Sequence, residues 1–125
     1  VLEGVAYAIR DNVEVARSLG IDIHSSKICG GGAKSPLWKK MVANILNVEL
    51  ECLESEQGPG IGGAMLAMVA CGEYATVQAA CDRIVHVAST VKPEPELVAK
   101  YEKRYQQFRQ IYPACKQLFA NLVKE

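Results

Sequence analysis

Three consecutive glycines, at residues 30–32, separate a short apolar segment from a sequence that can begin a helix. Glycine permits positive φ angles and lets a ligand approach the backbone closely. The N–H groups and the dipole at the start of a helix attract anions, and Lys34 adds a positive charge beside them. Residues 30–36 are therefore a candidate site for a phosphate or a nucleotide.

Spacing alone leaves a second interpretation of this loop open. The glycines fit neither the GxGxxG nor the GxxxxGK[ST] fingerprint, so a tight turn without a ligand is equally consistent with them. Trp38 also has two interpretations. It could flank a base, but Met41 and Val42, three and four residues later, favour packing in the core.

Carboxylates that could act as a catalytic base are scattered along the chain. Glu14, Asp22 and Glu54 lie on or beside amphipathic elements, where an acid usually faces solvent. His24 and His86 are far apart and lack neighbours of the kind that bind metals. The sequence thus predicts neither a catalytic residue nor a metal ligand on this chain.

The elements around the glycines follow a β, loop, α, β order. Residues 27–29 are β-prone and predict a buried strand that leads into the loop. Ser35 can accept hydrogen bonds from backbone amides and Pro36 suits the first helical position, so a helix is predicted from there to about Asn47. Apolar and acidic residues then alternate over residues 48–53, which is the pattern of a half-buried strand.

Helices are predicted on both sides of this unit. Apolar residues recur every three or four positions over residues 2–19 and again from Glu96 onward, where Pro113 should kink or restart the helix. Residues 61–71 are apolar or small on every side, which predicts a helix that is buried all round. Residues 74–99 show little beyond one or two helical turns at 77–81. The chain as a whole predicts one α/β domain over residues 1–125, with helices packed on a small sheet.

Composition narrows the classes of function. Half of the 125 residues are hydrophobic, and 14 basic residues balance 14 acidic ones, so a nucleic-acid partner is not expected. No apolar run approaches the roughly 20 residues that span a bilayer, so no membrane partner is expected either.

Five cysteines without a CxxC pair predict reduced, buried thiols and a cytoplasmic location. The chain begins in helical register without Met, which predicts a piece of a longer protein whose exposed apolar surface favours self-association, for example as a homodimer.

Two motifs point to a family. The segments GGGAKSPLWKKMVANILN and GPGIGGAMLAMVACGEY, in this order, resemble the end of the FGGY family of carbohydrate kinases. The opening VLEGVAYAIRDN and the closing YEKRYQQFRQIYPACKQLF resemble the same family, most closely its members that act on the ketopentose D-xylulose. The resemblance covers the whole chain, with weak matching only over residues 75–94. Where many relatives have Ala-Leu-Gly-Ala-Ala, this chain has Gly-Ile-Gly-Gly-Ala at residues 60–64, and Gln57 stands where many have an acid.

This resemblance implies an actin-like, ribonuclease-H-like kinase of two domains, of which the chain would be the last part of the nucleotide-binding domain. The helix that begins near Gly60 would pack under the ATP site. Seven residues are implied on the adenosine and α-phosphate side of that site: Gly31, Gly32 and Ala33 line it, and Gly30, Lys34, Ser35 and Pro36 lie close by.

The implied reaction is ATP-dependent phosphorylation of D-xylulose to D-xylulose 5-phosphate, with ATP or ADP and Mg²⁺ as cofactors. In the family, the catalytic Asp, the sugar contacts and the main phosphate loops lie upstream of the part that this chain resembles. The isolated chain is therefore expected to be inactive. The alternatives are an FGGY kinase for gluconate, ribulose or glycerol, an actin-like nucleotide-binding or assembly module without sugar chemistry, and a purely structural α/β domain.

Overall fold

A computed structural model describes residues 1–54 and 58–122 of the chain. The helices and strands of this part are α1 (Leu2–Ser18), β1 (Ser25–Ile28), α2 (Pro36–Leu46), β2 (Glu49–Leu53), α3 (Pro59–Ala70), α4 (Val77–Ile84), β3 (Val87–Val91), α5 (Pro95–Phe108) and α6 (Ile111–Leu122). A 3₁₀ turn, Gly31–Lys34, joins β1 to α2. None of the helices in the described ranges has both the length and the apolar character needed to cross a membrane.

The three strands form one sheet in the order β1-β2-β3. β1 runs parallel to β2, with Ile28 opposite Cys52, and β3 runs antiparallel to β2. Parallel neighbours need a crossover connection, and α2 carries the chain from the carboxyl end of β1 back to the start of β2. The carboxyl ends of β1 and β2 and the beginning of β3 therefore meet at one end of the sheet.

The first strand differs from its sequence prediction in position and burial. β1 begins at Ser25, two residues earlier than predicted, and ends at Ile28, its one partly buried residue. β1 is the border strand of the sheet, so it has a described strand neighbour on one side only. Its polar side chains suit that exposed position, and the expected buried strand is wrong.

α2 lies at the centre of the fold. Its residues 41–46 are all buried, so this part of the helix is covered on every side. Ser35 caps the helix, since its Oγ accepts a hydrogen bond from the Trp38 N–H at 3.3 Å. Pro36 takes the first helical position, and Asn47 ends the helix with a φ of 52°. The capping residue and the bounds predicted for this helix are confirmed.

α1 and α5 pack together on α2. The ring of Tyr7 on α1 lies with its centroid 6.0 Å from that of Tyr105 and 5.3 Å from that of Phe108, both on α5. Tyr7 and Tyr105 are buried in the same core as Ile45 and Leu46 of α2. The amphipathic helix predicted at the start of the chain is confirmed, one residue shorter at its end.

A polar layer joins α1 to α5 beside this core. The nearly buried Arg10 guanidinium makes an ion pair with Glu102 and lies 4.1 Å from the centre of the Tyr105 ring. Tyr105 donates a hydrogen bond of 2.6 Å to the Asp11 carboxylate. Burial, and next the hydrogen bond to Asp11, raise the pKa of Tyr105 to about 12. The neutral tyrosine is therefore the form that stabilises the folded chain.

α3 is less covered than its sequence predicts. Of its twelve residues only Met65 is buried, so the expectation of burial all round is wrong. α4 packs on α3, where the Cys81 sulfur lies 3.7 Å from the Met65 sulfur. Leu66 is 60 % exposed, because α4 covers one side of the helix only.

The second half of the chain contains a strand that the sequence does not reveal. Four of the five residues of β3 are exposed, so no alternation of apolar and polar residues marks it. Pairing with β2 holds it in the sheet. Asn44 of α2 then fixes the segment that leads to α5, because its Oδ1 accepts a hydrogen bond from the Glu94 N–H at 2.7 Å.

The long helix predicted at the end of the chain is interrupted. α5 ends at Phe108, and α6 begins at Ile111. Pro113 lies in the first turn of α6, where its missing N–H costs little, and its ring excludes a helical carbonyl four residues earlier, at Arg109. The helix restart predicted at Pro113 is confirmed, and the new helix begins two residues before the proline.

The cysteines are free but less buried than predicted. Only Cys52 is buried, while Cys29 and Cys71 are exposed. Both exposed thiols directly follow a regular element, Cys29 after β1 and Cys71 after α3, where the chain turns at the surface. The expectation of buried thiols is therefore wrong for most of the five.

Raising the pH should weaken this fold between about pH 10 and pH 12. Tyr105 binds its proton more tightly in the folded chain than in the unfolded chain, whose pKa is near 10.0. The contribution is therefore complete below pH 10 and is lost as the pH rises toward 12. Tyr105→Phe should cost about 1 to 2 kcal/mol at neutral pH, because the hydrogen bond to Asp11 is lost, and should reduce the alkaline loss. Chemical denaturation from pH 7 to pH 12 measures both effects.

Tyr112→Phe is the matched control. Tyr112 is exposed on α6, so removing its hydroxyl should change neither the stability at pH 7 nor its alkaline slope. Equal alkaline slopes for Tyr105→Phe and the unmodified chain would contradict the role given to Tyr105.

Candidate functional site

The triple glycine leaves the sheet at the carboxyl end of β1. Gly30 has φ 85° and ψ −177°, a conformation that is essentially restricted to glycine. Residues 31–34 then form one 3₁₀ turn. Two hydrogen bonds of 3.0 Å close this turn, from the Ala33 N–H to the Gly30 carbonyl and from the Ser35 N–H to the Gly32 carbonyl. The loop therefore has a defined conformation, which Gly30 makes possible.

Gly32 lies directly against Trp38 of α2. A Cβ at Gly32 would be 2.9 Å from both Cδ1 and Nε1 of the indole, a separation that real Cβ contacts essentially never show. A residue larger than glycine would therefore displace the ring. The indole is partly buried and packs against the core, which supports the packing interpretation of Trp38.

The loop delivers the chain to the N-terminus of α2, as predicted. Ser35 and Pro36 occupy the capping and first helical positions, and the Lys39 N–H bonds to the Ser35 carbonyl at 3.1 Å. The positive end of the helix dipole therefore lies beside the loop. An anion held there would be stabilised by this charge distribution.

A cleft of about 170 Å³ opens beside the loop, and we call it the glycine-loop cleft. Its walls are the carboxyl ends of β1 and β2, the beginning of β3, the loop itself and the first turns of α2. The lining residues are Ile28, Cys29, Gly30, Ala33, Lys34, Lys39, Cys52, Leu53, Ala88 and Ser89. Ligands bind at the carboxyl ends of the strands in open α/β sheets, so the cleft has the position of a ligand site.

The seven residues implied at an ATP site all lie in this one loop and at the start of α2. Three of them, Gly30, Ala33 and Lys34, line the glycine-loop cleft. The other four are not among the lining residues: Gly32 and Ser35 contact Trp38, Pro36 begins α2, and Gly31 is exposed on the turn. Of the three residues expected to line the site, Gly31, Gly32 and Ala33, the cleft lining includes Ala33.

Two lysines face the glycine-loop cleft, and no Asp or Glu is among the described residues that line it. Lys34 is in the predicted loop, and Lys39 stands one turn further along α2. Both ammonium groups attract phosphate as point charges. The described lining thus favours an anionic ligand and contains no carboxylate that could act as a base.

The carboxylates considered as a base lie elsewhere. Glu14 makes an ion pair with Arg17 at 2.9 Å, and Asp22 pairs with the His24 imidazole at 2.8 Å. Glu54 is exposed after the end of β2, outside the cleft lining. In the ranges that the structure describes, no group of three or more His, Cys, Asp or Glu residues is placed to hold a metal ion. Gln57, the departure noted in the sequence, lies outside the described residues.

Seven of the ten lining residues are absent from the predicted site, and two of these, Lys39 and Ser89, have an ammonium or a hydroxyl group. Lys39 follows the capping Ser35 by four residues, and this spacing puts both on one side of a helix, so it could have been found. Ser89 could not, because the strand that carries it has no sequence signature. A smaller recess of about 50 Å³ adjoins the cleft at Cys29 and Leu53 and extends to His86.

A larger cleft of about 430 Å³ lies between α1, α5 and α6. Phe108, Ile111, Tyr112 and Phe119 give it a largely apolar lining. Its acid, Asp11, already accepts the Tyr105 hydrogen bond. Its cation, Arg109, lies 5.7 Å from the centre of the Tyr105 ring. Both charged residues of the larger cleft thus contact Tyr105, so the glycine-loop cleft is the better candidate in spite of its smaller volume.

Known proteins of similar sequence and fold identify the family. The C-terminal domain of the FGGY family of carbohydrate kinases matches residues 1–71. The chain is 34 % identical to the xylulose kinase of Staphylococcus epidermidis over 98 % of this chain and 25 % of that protein. It is 35 % identical to the ribulokinase of Halalkalibacterium halodurans over 86 % of this chain and 20 % of that protein. The crystal structure of a xyloylose kinase from Brucella ovis superposes with a TM-score of 0.81 at 36 % identity, over 94 % of this chain and 24 % of that one.

The chain spans about a quarter of the length of these relatives. The superposition confirms the predicted fold class, an α/β unit with helices packed on a small sheet, within the actin-like ATPase fold of the sugar kinases. The matched residues are more than half of the chain and include the glycine loop, α2 and α3. This chain therefore belongs to the FGGY family of carbohydrate kinases.

Proposed function

We propose that the glycine-loop cleft holds the adenosine and α-phosphate side of ATP in a kinase that phosphorylates the ketopentose D-xylulose. One observation carries this proposal. A glycine loop at the carboxyl ends of two parallel strands leads straight into a capped helix, and two lysines line the cleft beside it. Backbone amides, helix dipole and ammonium groups there act together on a phosphate.

Gly31 adds support, because the described fold gives no reason for a glycine at this position. Its φ lies outside the left-handed region, and a Cβ built on it would meet no atom within 4 Å. Gly30 and Gly32 differ, since one has a glycine-specific backbone and the other contacts Trp38. A glycine that the fold does not need lowers stability by about 0.4 to 1 kcal/mol relative to alanine. Gly4, Gly60, Gly62 and Gly63 share this property, so it is the position of Gly31 in the loop beside the cleft that makes close approach of a ligand our explanation for it.

The residues of this chain bind and orient the nucleotide, while ATP supplies the phosphate that is transferred. Lys34 and Lys39 offset the negative charge of the phosphates. The described lining of the cleft has no carboxylate, which is the protein ligand that Mg²⁺ prefers, so we assign no Mg²⁺ ligand to this chain. A base for the sugar hydroxyl would likewise come from another part of the longer enzyme.

The sugar is inferred from the relatives. A xylulose kinase matches 98 % of this chain, which supports D-xylulose as the substrate of the whole enzyme. The ribulokinase relative supports ribulose as a second candidate. Both are ketopentoses, so the class of sugar is the same in either case.

We also propose that residues 1–125 form one structural unit, the last part of the nucleotide-binding domain. Residues from α1, α2, β2 and α5 share a single core, so the beginning and the later part of the chain are packed together. The glycine loop lies at one end of the sheet that this core supports.

Gly31→Ala separates nucleotide binding from folding. The methyl group meets no atom of the chain, so the free energy of unfolding should stay the same or rise by about 0.5 kcal/mol. Gly31 is exposed beside the cleft, and in this proposal the nucleotide extends from the cleft over the Gly31 backbone. The added methyl group should therefore lower the affinity for ADP and ATP about tenfold. Titration calorimetry measures the affinity, and chemical denaturation measures the stability.

Gly4→Ala is the matched control for this experiment. Gly4 on α1 also has an open Cβ position and a φ outside the left-handed region, so its substitution should leave both affinities unchanged. Equal affinities for Gly31→Ala and the unmodified chain, or no binding by the unmodified chain, would contradict the nucleotide site.

The 125-residue chain should produce no D-xylulose 5-phosphate from ATP and D-xylulose, because no carboxylate lines the described part of its cleft. A hybrid in which this chain replaces the matched quarter of the Staphylococcus epidermidis enzyme should phosphorylate D-xylulose. In that hybrid, Gly31→Ala should raise the KM for ATP about tenfold and leave the KM for the sugar unchanged. Phosphate transfer by the chain alone, or a folded hybrid without activity, would contradict the proposed division of roles.

A further inference from the structure

Trp38 is tied to the glycine loop at two points. Its backbone N–H donates to the Ser35 Oγ, and the edge of its indole that contains Cδ1 and Nε1 touches Gly32. Among the three loop glycines, only Gly32 has a neighbour within 4 Å of its Cβ position, and that neighbour is Trp38. The indole is therefore the side chain that packs against the loop, at Gly32.

The other side of Trp38 is anchored in the core. Its ring packs against the core cluster, and the buried stretch of α2 begins three residues later, at Met41. Movement of the ring is restricted by this packing, because protein interiors are close-packed. Because the indole is held in place relative to α2, it also restricts the position of Gly32.

We propose that Trp38 is a positioning residue for nucleotide binding: its indole edge holds Gly32 in place and so keeps the cleft side of the loop turned toward the ligand. Ala33 and Lys34 follow Gly32 within the same 3₁₀ turn, so fixing Gly32 sets the direction of both. This inference rests on the proposed nucleotide site. It gives Trp38 a role without contact to the nucleotide, in place of stacking on the base.

Trp38→Leu tests the contact between the indole edge and Gly32 directly, since leucine keeps apolar volume in the core but lacks the ring edge. The Ala33 and Ser35 N–H groups report the 3₁₀ turn, because both make hydrogen bonds within it. Their hydrogen exchange should become at least tenfold faster, while exchange in the buried part of α2 stays unchanged. The Kd for ADP, measured by calorimetry, should rise about tenfold. Leu37→Ala, at the exposed neighbouring position, should change neither quantity.

A second variant pair reaches the same contact from the loop. Gly32→Ala places a methyl group against the indole, so it should raise the Kd for ADP about tenfold. Adding Trp38→Phe to Gly32→Ala should restore the Kd to within about threefold of the unmodified chain, because the smaller ring leaves room for the methyl group. This pair decides the question if Trp38→Leu does not fold.

The possible results separate the inference from the proposed function. Unchanged hydrogen exchange of the Ala33 and Ser35 N–H groups in a folded Trp38→Leu variant would contradict the proposed support of the loop by Trp38. Additive losses of ADP affinity in the variant that combines Gly32→Ala with Trp38→Phe would contradict it as well. Binding of ADP by the unmodified chain with an unchanged Kd in Trp38→Leu overturns the role of Trp38 alone. Failure of the unmodified chain to bind ADP overturns the nucleotide site and the positioning role together.

Discussion

Burial of α2 on every side is the constraint on which the rest of this structure depends. Residues 41–46 are covered by the sheet and by α1 and α5, so the helix cannot rotate or slide without exposing apolar side chains. Each large side chain that is buried contributes about 1.5 to 3 kcal/mol. Since α2 begins directly after the glycine loop, its fixed position also fixes Ser35, Trp38 and Lys39, which respectively cap the helix, contact Gly32 and line the glycine-loop cleft.

Polar contacts attach the segment after β3 and the helix α1 to α2. The Asn44 side chain is buried and both of its polar atoms have partners, since its Nδ2 donates to the Lys40 carbonyl at 2.7 Å and its Oδ1 accepts from the Glu94 N–H. An unpaired buried amide would cost about 1 to 3 kcal/mol, so this link between α2 and the segment after β3 is maintained. At the other end, Arg17 of α1 donates to the Leu46 carbonyl at 3.1 Å. The strand that carries Ser89 and the helix that opens the chain are therefore both held against α2.

The parts of the fold that the sequence predicts are those with local physical signals. A hydroxyl side chain followed by proline marks the start of α2, and strict helical spacing marks α1. β3 has no such signal, because it is exposed on most of its length and owes its conformation to hydrogen bonds with β2. Burial is equally non-local: α3 has the composition of a core helix, yet α4 packs on one side of it only. The same distinction applies to the site, where the glycine loop and Lys34 are evident from the sequence and Ser89 is not.

The distribution of charge favours binding over catalysis on this chain. Acidic side chains near the sheet have cationic partners of their own, as in the pairs Lys27–Glu51 at 2.8 Å and Lys40–Glu94 at 2.6 Å. Among the described residues, the lining of the glycine-loop cleft contains two lysines and no acid, which suits the binding of an anion. Removal of a proton from a sugar hydroxyl needs a base such as a carboxylate, so in the proposed kinase the reacting phosphate would lie at the other end of the nucleotide, away from this loop.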